Sequence, residues 1–321
     1  MTGEMVKHTH NIMERNIKSN ENSNSEILNV DVSEGKDWKM YLGDCVKTIR
    51  TLEDNSIHYS IFSPPFADLY TYTNSEYDMG NCKTHSEFHK HFKYLISELY
   101  RIIKPGRLVS FHCMNLPISK QKSGYIGIQD FRGELIRLFQ EEGWIYHSEV
   151  CIWKDPVIAM QRTKALGLLH KTIRKDSSMA RQGIPDYLVT MRKPGQNDEP
   201  ISNTHETFPV KLWQNYASPV WTDINPSNTL QKTSARDDKD EKHICPLQLD
   251  VIGRALKLWT NEGDTVLSPF AGIGSEGYKA LEMDRRFIGI ELKQSYYDQA
   301  VKNLEILDSK KELKNKQQKL F

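Results

Sequence analysis

The stretch VLSPFAGIGSEG, Val266–Gly277, places three glycines between a predicted strand and a predicted helix. The strand covers Thr265–Leu267, and the helix runs from about Glu276 to Glu282. Glycine permits a tight turn from strand to helix and lets a ligand approach the backbone closely. We therefore interpret the stretch as a strand–turn–helix unit of an α/β fold, with the glycine turn at the edge of the sheet where ligands bind.

An acidic residue, Glu291, follows this turn at the end of the next predicted strand, Arg286–Ile290. A carboxylate at that place can accept hydrogen bonds from both hydroxyl groups of a ribose. The pattern favours a nucleotide cofactor over a plain strand-to-helix turn. A dinucleotide motif can be fitted to Gly272, Gly274 and Gly277, but the preceding Ser-Pro-Phe is not typical of it. The sequence has no Gly-Lys-Ser/Thr phosphate loop.

A second unusual turn, Ser63-Pro64-Pro65-Phe66, follows the predicted strand Ile57–Phe62. Two prolines cannot continue a central strand, so the chain leaves the sheet there, at its ligand-binding edge. Proline leaves carbonyl oxygens free as acceptors, so the Ser63 hydroxyl and the Pro64 carbonyl can accept from one amino group. Phe66 offers a face to a flat ring. The turn suits the exocyclic amine of a nucleobase; a proline-rich turn with a buried Phe is the alternative.

Strands and helices alternate through most of the remaining sequence, which is typical of a mainly parallel α/β sheet. These predicted elements are strand 38–42, helix 45–52, helix 87–103, strand 107–113, helix 131–142, strand 144–153, a helix after residue 246 and a last helix from about residue 295. From about Asp155 to Glu241 the sequence has no regular period. This segment interrupts the α/β pattern.

The charges exclude a protein that is basic throughout, because 43 Lys and Arg residues face 42 Asp and Glu residues, a net charge of +1. Nucleic-acid binding must therefore come from a local patch. Met160–Arg181, inside the aperiodic segment, carries six cations against one anion. We expect these cations to contact DNA phosphates, with a solvated charged face as the alternative. They are Arg162, Lys164, Lys171, Arg174, Lys175 and Arg181.

Composition and residue spacing argue against a membrane protein, a secreted protein and a metal-dependent protein. The mean hydropathy is −0.61, no apolar stretch approaches the ~20 residues that cross a bilayer, and the N-terminus lacks the apolar part of a secretory signal. Five scattered cysteines without a C-x-x-C pair argue against a disulfide framework. His85 and His89 have helical spacing but no accompanying ligand pattern, so we expect no metal. We expect a cytoplasmic protein of prokaryotic or phage type, with no membrane association.

Together the two turns resemble those of the β-class S-adenosylmethionine-dependent DNA amino-methyltransferases. In that family a D/N/S-P-P-Y/F tetrapeptide grips the target amine, and F-x-G-x-G binds the cofactor. Here Ser63–Phe66 precedes Phe270–Gly274, with a recognition-sized region between them, which looks like the circular permutation of the β class. Further stretches similar to the family are Tyr41–Cys45, Leu99–Gly106, Phe131–Trp144, Trp221–Ile224, Lys242–Pro246 and Phe287–Glu291.

The resemblance implies a Rossmann-like class I methyltransferase fold: α/β, with a mainly parallel seven-stranded sheet in circularly permuted order and an inserted target-recognition region. The corresponding division of the chain is a flexible N-terminal arm at 1–35, the catalytic half at 36–154, the recognition region at 155–240, the cofactor-binding half at 241–308 and a basic C-terminal tail at 309–321.

The resemblance also assigns cofactor residues. Glu291 would bind the ribose of S-adenosylmethionine, and Asp44 would bind its adenine amine unless it serves only as a helix N-cap. Ser268 stands where the family usually has Asp, and His243 is separated from Pro246 where the family has His-Pro. The full set of expected cofactor residues is Asp44, His243, Phe270, Ala271, Gly272, Gly274, Ser275 and Glu291.

The implied reaction is direct methyl transfer to an exocyclic amino nitrogen in double-stranded DNA, on a base flipped into the grip of Ser63, Pro64, Pro65 and Phe66. The sequence lacks the Pro-Cys pair that cytosine-C5 enzymes need. Serine at the first position of the tetrapeptide, Ser63, resembles the enzymes of the family that methylate cytosine N4. Phe62, however, stands where those enzymes commonly have Thr, so adenine N6 stays open as the target. Rival functions are methylation of RNA or a protein amide, and a catalytically silent DNA-binding or cofactor-sensing module. A homodimer and a cognate restriction enzyme are open partners.

Overall fold

A nine-stranded sheet forms the centre of the protein in a computed structural model that describes residues 31–65, 82, 85–157, 170, 174, 176–179, 181–230 and 246–318. In this described part the strands are β1 (Asp31–Glu34), β2 (Trp38–Leu42), β3 (Ile57–Phe62), β4 (Ile103–Met114), β5 (Leu116–Ile118), β6 (Gly127–Gln129), β7 (Ile145–Ile152), β8 (Asp186–Arg192), β9 (Val220–Trp221), β10 (Thr265–Ser268) and β11 (Arg286–Glu291). The helices are α1 (Cys45–Ile49), α2 (His85–Ile102), α3 (Lys120–Ser123), α4 (Phe131–Glu141), α5 (Val210–Tyr216), α6 (Leu249–Trp259), α7 (Ser275–Glu282) and α8 (Gln294–Gln318).

The strand order, β1-β2-β11-β10-β3-β4-β8-β7-β9, creates a crevice near the middle of the sheet. Strands β2, β11, β10, β3 and β4 are parallel to their neighbours within this group. From β10 the chain crosses to β11 on one side, whereas from β3 it crosses to β4 on the other. Such a reversal opens a ligand crevice at the carboxyl ends of the strands. The predicted α/β fold with a mainly parallel sheet is confirmed.

Three expectations about the sheet need correction. Among the described residues it has nine strands rather than seven, because the short strands β1 and β9 extend its two edges. The predicted flexible arm 1–35 ends too late, since residues 31–34 pair with β2 as β1; residues 1–30 lie outside the described part. The segment 155–240 is not aperiodic throughout, because β8 lies inside the sheet, antiparallel to both β4 and β7.

Two apolar layers cover the sheet because successive side chains of each strand point to opposite faces. On one face α1, α2 and α4 pack over β3 and β4, with the stacked rings of Phe111 and Phe139 5.1 Å apart. On the other face α6, α7 and α8 pack over β10 and β11, with Ala255, Ala280 and Leu304 fully buried. Burial of one large apolar side chain stabilises the fold by roughly 1.5–3 kcal/mol.

A partly buried cluster of charged side chains joins strands at the edge of the sheet opposite the crevice. Arg107, 1% exposed, lies 3.2 Å from Asp264, and Lys104 binds Glu199. The His58 Nδ1 accepts a hydrogen bond from the Thr265 N–H, and its Nε2 lies 3.0 Å from Glu199. Although His58, Glu199 and Asp264 lie within 4.8 Å of one another, the two cations already compensate the carboxylates. The cluster is therefore an ion-pair network.

None of the helices in the described ranges is both long enough and apolar enough to span a bilayer.

Candidate functional site

The glycine turn between β10 and α7 is held open by its backbone conformation. Gly272 has φ +53° and Gly274 has φ +82°, values that L side chains rarely adopt. Gly274 is the N-cap residue of α7, and the N–H of Ala271 donates to the carbonyl of Ile290, 2.9 Å away. This bond fixes the turn beside the carboxyl end of β11, and α7 begins directly after it.

Glu291 joins three parts of this edge through its carboxylate and its backbone carbonyl. Its Oε2 accepts from the N–H of Gly272 at 2.8 Å, and its Oε1 accepts from the N–H of Lys293 at 2.9 Å. The Glu291 carbonyl accepts from the N–H of Gly43, just after β2. Each carboxylate oxygen can accept more than one hydrogen bond. Glu291 therefore shapes the glycine turn and places a carboxylate at the edge where a nucleotide ribose is expected.

The space beside the turn fits a nucleoside cofactor. A Cβ built on Gly272 meets no atom within 4 Å, so this backbone faces an open cleft. The fully buried Ser268 hydroxyl at the end of β10 has no hydrogen-bond partner among the described residues. Asp44 caps α1 through a 2.8 Å bond from the Lys47 N–H to its Oδ1. This edge of the sheet thus brings together the open backbone of Gly272 and the carboxylates of Asp44 and Glu291.

The Ser-Pro-Pro turn lies next to the glycine turn. The Phe62 ring, just before it, packs against the Phe270 ring with centroids 5.7 Å apart. Ser63 is half-buried, with its Oγ 3.2 Å from Nδ1 of His112, and the two prolines after it are buried. The structure thus brings the two predicted turns together across the crevice. Phe66 lies outside the described residues.

Three further side chains continue from Ser63 into the sheet. Nε2 of His112 lies 3.2 Å from Oδ2 of Asp186 in an ion-pair approach, and Lys154 binds the other oxygen of Asp186. Burial by itself raises the pKa of the Asp186 carboxyl, but the charges and hydrogen bonds of His112 and Lys154 outweigh it and hold the pKa below its ordinary value. Sequence analysis missed this chain of contacts because its members come from three separate strands and only their register reveals it.

Of the six expected DNA-binding cations, two lie within the described residues, Arg174 and Arg181. Arg174 is exposed. Arg181 is half-buried, donates a hydrogen bond to the Gln182 carbonyl, and has its pKa lowered by burial. The remaining expected site residues that lie outside the described ranges are Arg162, Lys164, Lys171, Lys175 and His243.

A buried acid, Glu276, lies in the first turn of α7 and was not expected to matter. It is 4% exposed, and burial, assisted by the nearby charge of Glu291, raises the pKa of its carboxyl from 4.5 to about 8. The side chain is therefore neutral at neutral pH in the folded protein.

Between about pH 4.5 and 8 the folded state keeps a proton on Glu276 that the unfolded state has lost. The free energy of unfolding should therefore fall as pH rises through this window. We expect Glu276→Gln to be more stable than the wild type at pH 8, by about 1–4 kcal/mol, with the difference closing toward pH 5. Urea unfolding at several pH values measures this, with the exposed Glu305→Gln as control. Equal stability of Glu276→Gln and wild type at pH 8 would contradict the neutral form.

Comparison with known proteins gives consistent matches. A family model described as DNA methylase (N6_N4_Mtase) matches residues 57–302. The Type II methyltransferase M.Cfr9I of Citrobacter freundii is 36% identical over 293 residues, which cover 83% of this chain and 87% of that protein. The Type II methyltransferase M.MjaI of Methanocaldococcus jannaschii is 20% identical over 296 residues, covering 84% and 91%.

Two solved structures share the fold. TTHA0409 from Thermus thermophilus, solved with S-adenosyl-L-methionine, has a TM-score of 0.63 at 18% identity and covers 84% of this chain and 93% of its own. The PvuII DNA methyltransferase (cytosine-N4-specific) has a TM-score of 0.59 at 17% identity, covering 84% and 86%. Both likenesses agree with the Rossmann-like sheet described above.

Proposed function

The chain belongs to the N6/N4 DNA methylase family and uses S-adenosylmethionine, and from this premise we propose that it methylates the N4 amino nitrogen of cytosine in double-stranded DNA. The observation that carries the proposal is the half-buried Ser63 hydroxyl, which is hydrogen-bonded to His112. It lies in the turn that follows Phe62, whose ring contacts Phe270 beside the glycine turn. Ser63 is a neutral hydrogen-bond acceptor, as is the serine of the cytosine-N4 methyltransferases that its tetrapeptide resembles.

The chemistry required of the turn is to make a poor nucleophile reactive. The lone pair of an exocyclic amine is delocalised into the base, so it attacks weakly while the amine is planar. Acceptors that hold both amine hydrogens, the Ser63 Oγ and the Pro64 carbonyl, favour the tetrahedral form in which the lone pair is localised on nitrogen. When bound, S-adenosylmethionine supplies an activated methyl group on sulfonium.

Positioning supplies the remainder of the proposed catalysis. The Ser63 turn and the Gly272 turn flank the same crevice, so an amine gripped by one faces a cofactor held by the other. Direct transfer within such an arrangement needs no covalent enzyme intermediate. A base inside a duplex cannot reach the crevice, so the target cytosine must flip out of the helix.

Mass spectrometry of nucleosides from DNA methylated by the purified protein tests the target atom. N4-methylcytosine is the expected product. N6-methyladenine alone would overturn the cytosine assignment but keep the amine chemistry. 5-Methylcytosine would overturn the mechanism as well, and no methylated base would contradict enzymatic activity.

We place the DNA phosphate contacts of this proposal on the basic segment Met160–Arg181, in which Arg174 is exposed. The double variant Arg174→Glu/Lys175→Glu should weaken DNA binding without changing cofactor affinity. If both residues contact phosphates, the plot of log affinity against log salt concentration should become shallower, with the magnitude of its slope smaller by about 2. Titrations at several salt concentrations measure this, with Lys302→Glu/Lys310→Glu on α8 as a control of equal charge change. An unchanged salt slope would move the DNA surface elsewhere.

A further inference from the structure

We propose that Ser63, His112 and Asp186 form a proton relay, in which His112 fixes the Ser63 hydroxyl as an acceptor and takes up the proton that the target amine loses. The proposal rests on the proposed amine methylation and assigns to that site two residues, His112 and Asp186, that act through Ser63.

Sheet register places the three residues on one face. Phe62 pairs with Phe111, so the next residues of the two parallel strands, Ser63 and His112, lie side by side. His112 in turn pairs with Leu188 on β8, and Asp186 is two residues from Leu188. Residues two apart on a strand point to the same face, so Asp186 is a diagonal neighbour of His112. The contacts are therefore fixed by rigid strands.

The Asp186 carboxylate favours a proton on the His112 nitrogen that faces it. Only 12% of the His112 side chain and 5% of the Asp186 side chain are exposed. Nε2 lies 3.2 Å from the Asp186 carboxylate in an ion-pair approach and forms no hydrogen bond with any described residue. We assign the N–H to this nitrogen, where it faces the carboxylate. Nδ1 is then an acceptor, and the Ser63 hydroxyl donates to it over 3.2 Å.

This arrangement leaves the lone pairs of the Ser63 oxygen for the substrate. A serine hydroxyl without such a partner can donate or accept a hydrogen bond. A hydroxyl that donates toward the amine could not accept a hydrogen bond from it with the same proton geometry, and the amine hydrogen would stay unbound. With the Ser63 proton committed to His112, the oxygen accepts from the amine. Lys154 holds the other carboxylate oxygen of Asp186 and keeps the acid ionised and in place.

Methyl transfer and proton transfer balance within this site. The amine nitrogen forms a bond to the methyl carbon, the carbon–sulfur bond breaks, and its electron pair stays on sulfur. The nitrogen is then positively charged and passes one proton to Ser63 Oγ, while the original Ser63 proton moves to Nδ1 of His112. The resulting imidazolium lies against the Asp186 carboxylate and later releases its proton to water.

Single-turnover methyl transfer by His112→Asn tests the relay. The Asn side-chain oxygen can still accept from Ser63, but it cannot take up a proton. We expect a rate about 10²-fold lower, with cofactor and DNA affinities unchanged. His147→Asn, an exposed histidine on β7, serves as control and should keep the wild-type rate.

Two further measurements separate a relay from structural support. His112→Ala should recover activity with added imidazole, whereas Ser63→Ala should not. Because His112 acts through Ser63, the double variant Ser63→Ala/His112→Asn should be no slower than Ser63→Ala alone.

A wild-type rate in His112→Asn, or additive losses in the double variant, would overturn the relay. The nucleoside products of the same reactions are identified separately. An unexpected methylated base would overturn the proposed target and leave the rate comparison valid.

Discussion

Replacement of Ser63 by alanine should lower the single-turnover rate of methyl transfer by about 10²–10³, the usual loss when one preorganised hydrogen bond to a transition state is removed. The Ser63 hydroxyl becomes most valuable as the amine turns tetrahedral, so its loss acts on the transition state more than on bound substrate. Affinities for the cofactor and for DNA should stay nearly unchanged. Quench-flow measurement with labelled cofactor gives the rate.

Ser56→Ala is the matched control for this variant. Ser56 lies just before the other end of β3, is half-buried like Ser63, and donates to the Glu53 carbonyl, away from the crevice. It should keep the wild-type rate. If Ser63→Ala also keeps the wild-type rate, the hydroxyl is not the acceptor that the reaction uses, and the Pro64 carbonyl alone must hold the amine.

Substitution of Gly272 by valine should abolish detectable cofactor binding. The φ of +53° at Gly272 is strained for a β-branched residue, and its side chain would project into the open cleft beside the turn. Gly263→Val separates the two effects. Gly263 has φ +80° and open space around its Cβ position, but it lies before β10, at the opposite edge of the sheet.

Calorimetric titration with S-adenosylmethionine is the measurement for both glycine variants. Both should lose stability through backbone strain, by about 1–3 kcal/mol, but Gly263→Val should bind the cofactor normally. Undisturbed binding in Gly272→Val would refute the location of the cofactor cleft.

The parallel core was predictable because its strands carry clear local signals. β3 was predicted at its observed bounds, Ile57–Phe62, since a run of β-branched and aromatic residues ends at two prolines. β8 was missed because five of its seven residues are buried, Asp186 and Thr190 among them. A strand buried on both faces has no polar–apolar alternation to reveal it.

The turns of the candidate site could be predicted from the sequence, whereas its residues within strands could not. The Ser63 and Gly272 turns have distinctive composition, and their contact follows from the strand order. His112 is a single histidine in an apolar run, and nothing in its sequence neighbourhood indicates a partner. Its pairing with Ser63 and Asp186 depends on register across three strands, which local sequence does not specify.

The central position of β10 and β11 has a consequence for the synthesis of this protein. Both strands come from residues 265–291, yet they fill the space between β2 and β3, which are made near the start of the chain. Until they emerge from the ribosome, β2 and β3 keep unpaired edges and apolar faces, surfaces prone to intermolecular pairing. Contacts so distant in sequence also form slowly. The growing chain is thus exposed to misassembly through most of translation, and the arrival of residues 265–291 is the event that ends this exposure.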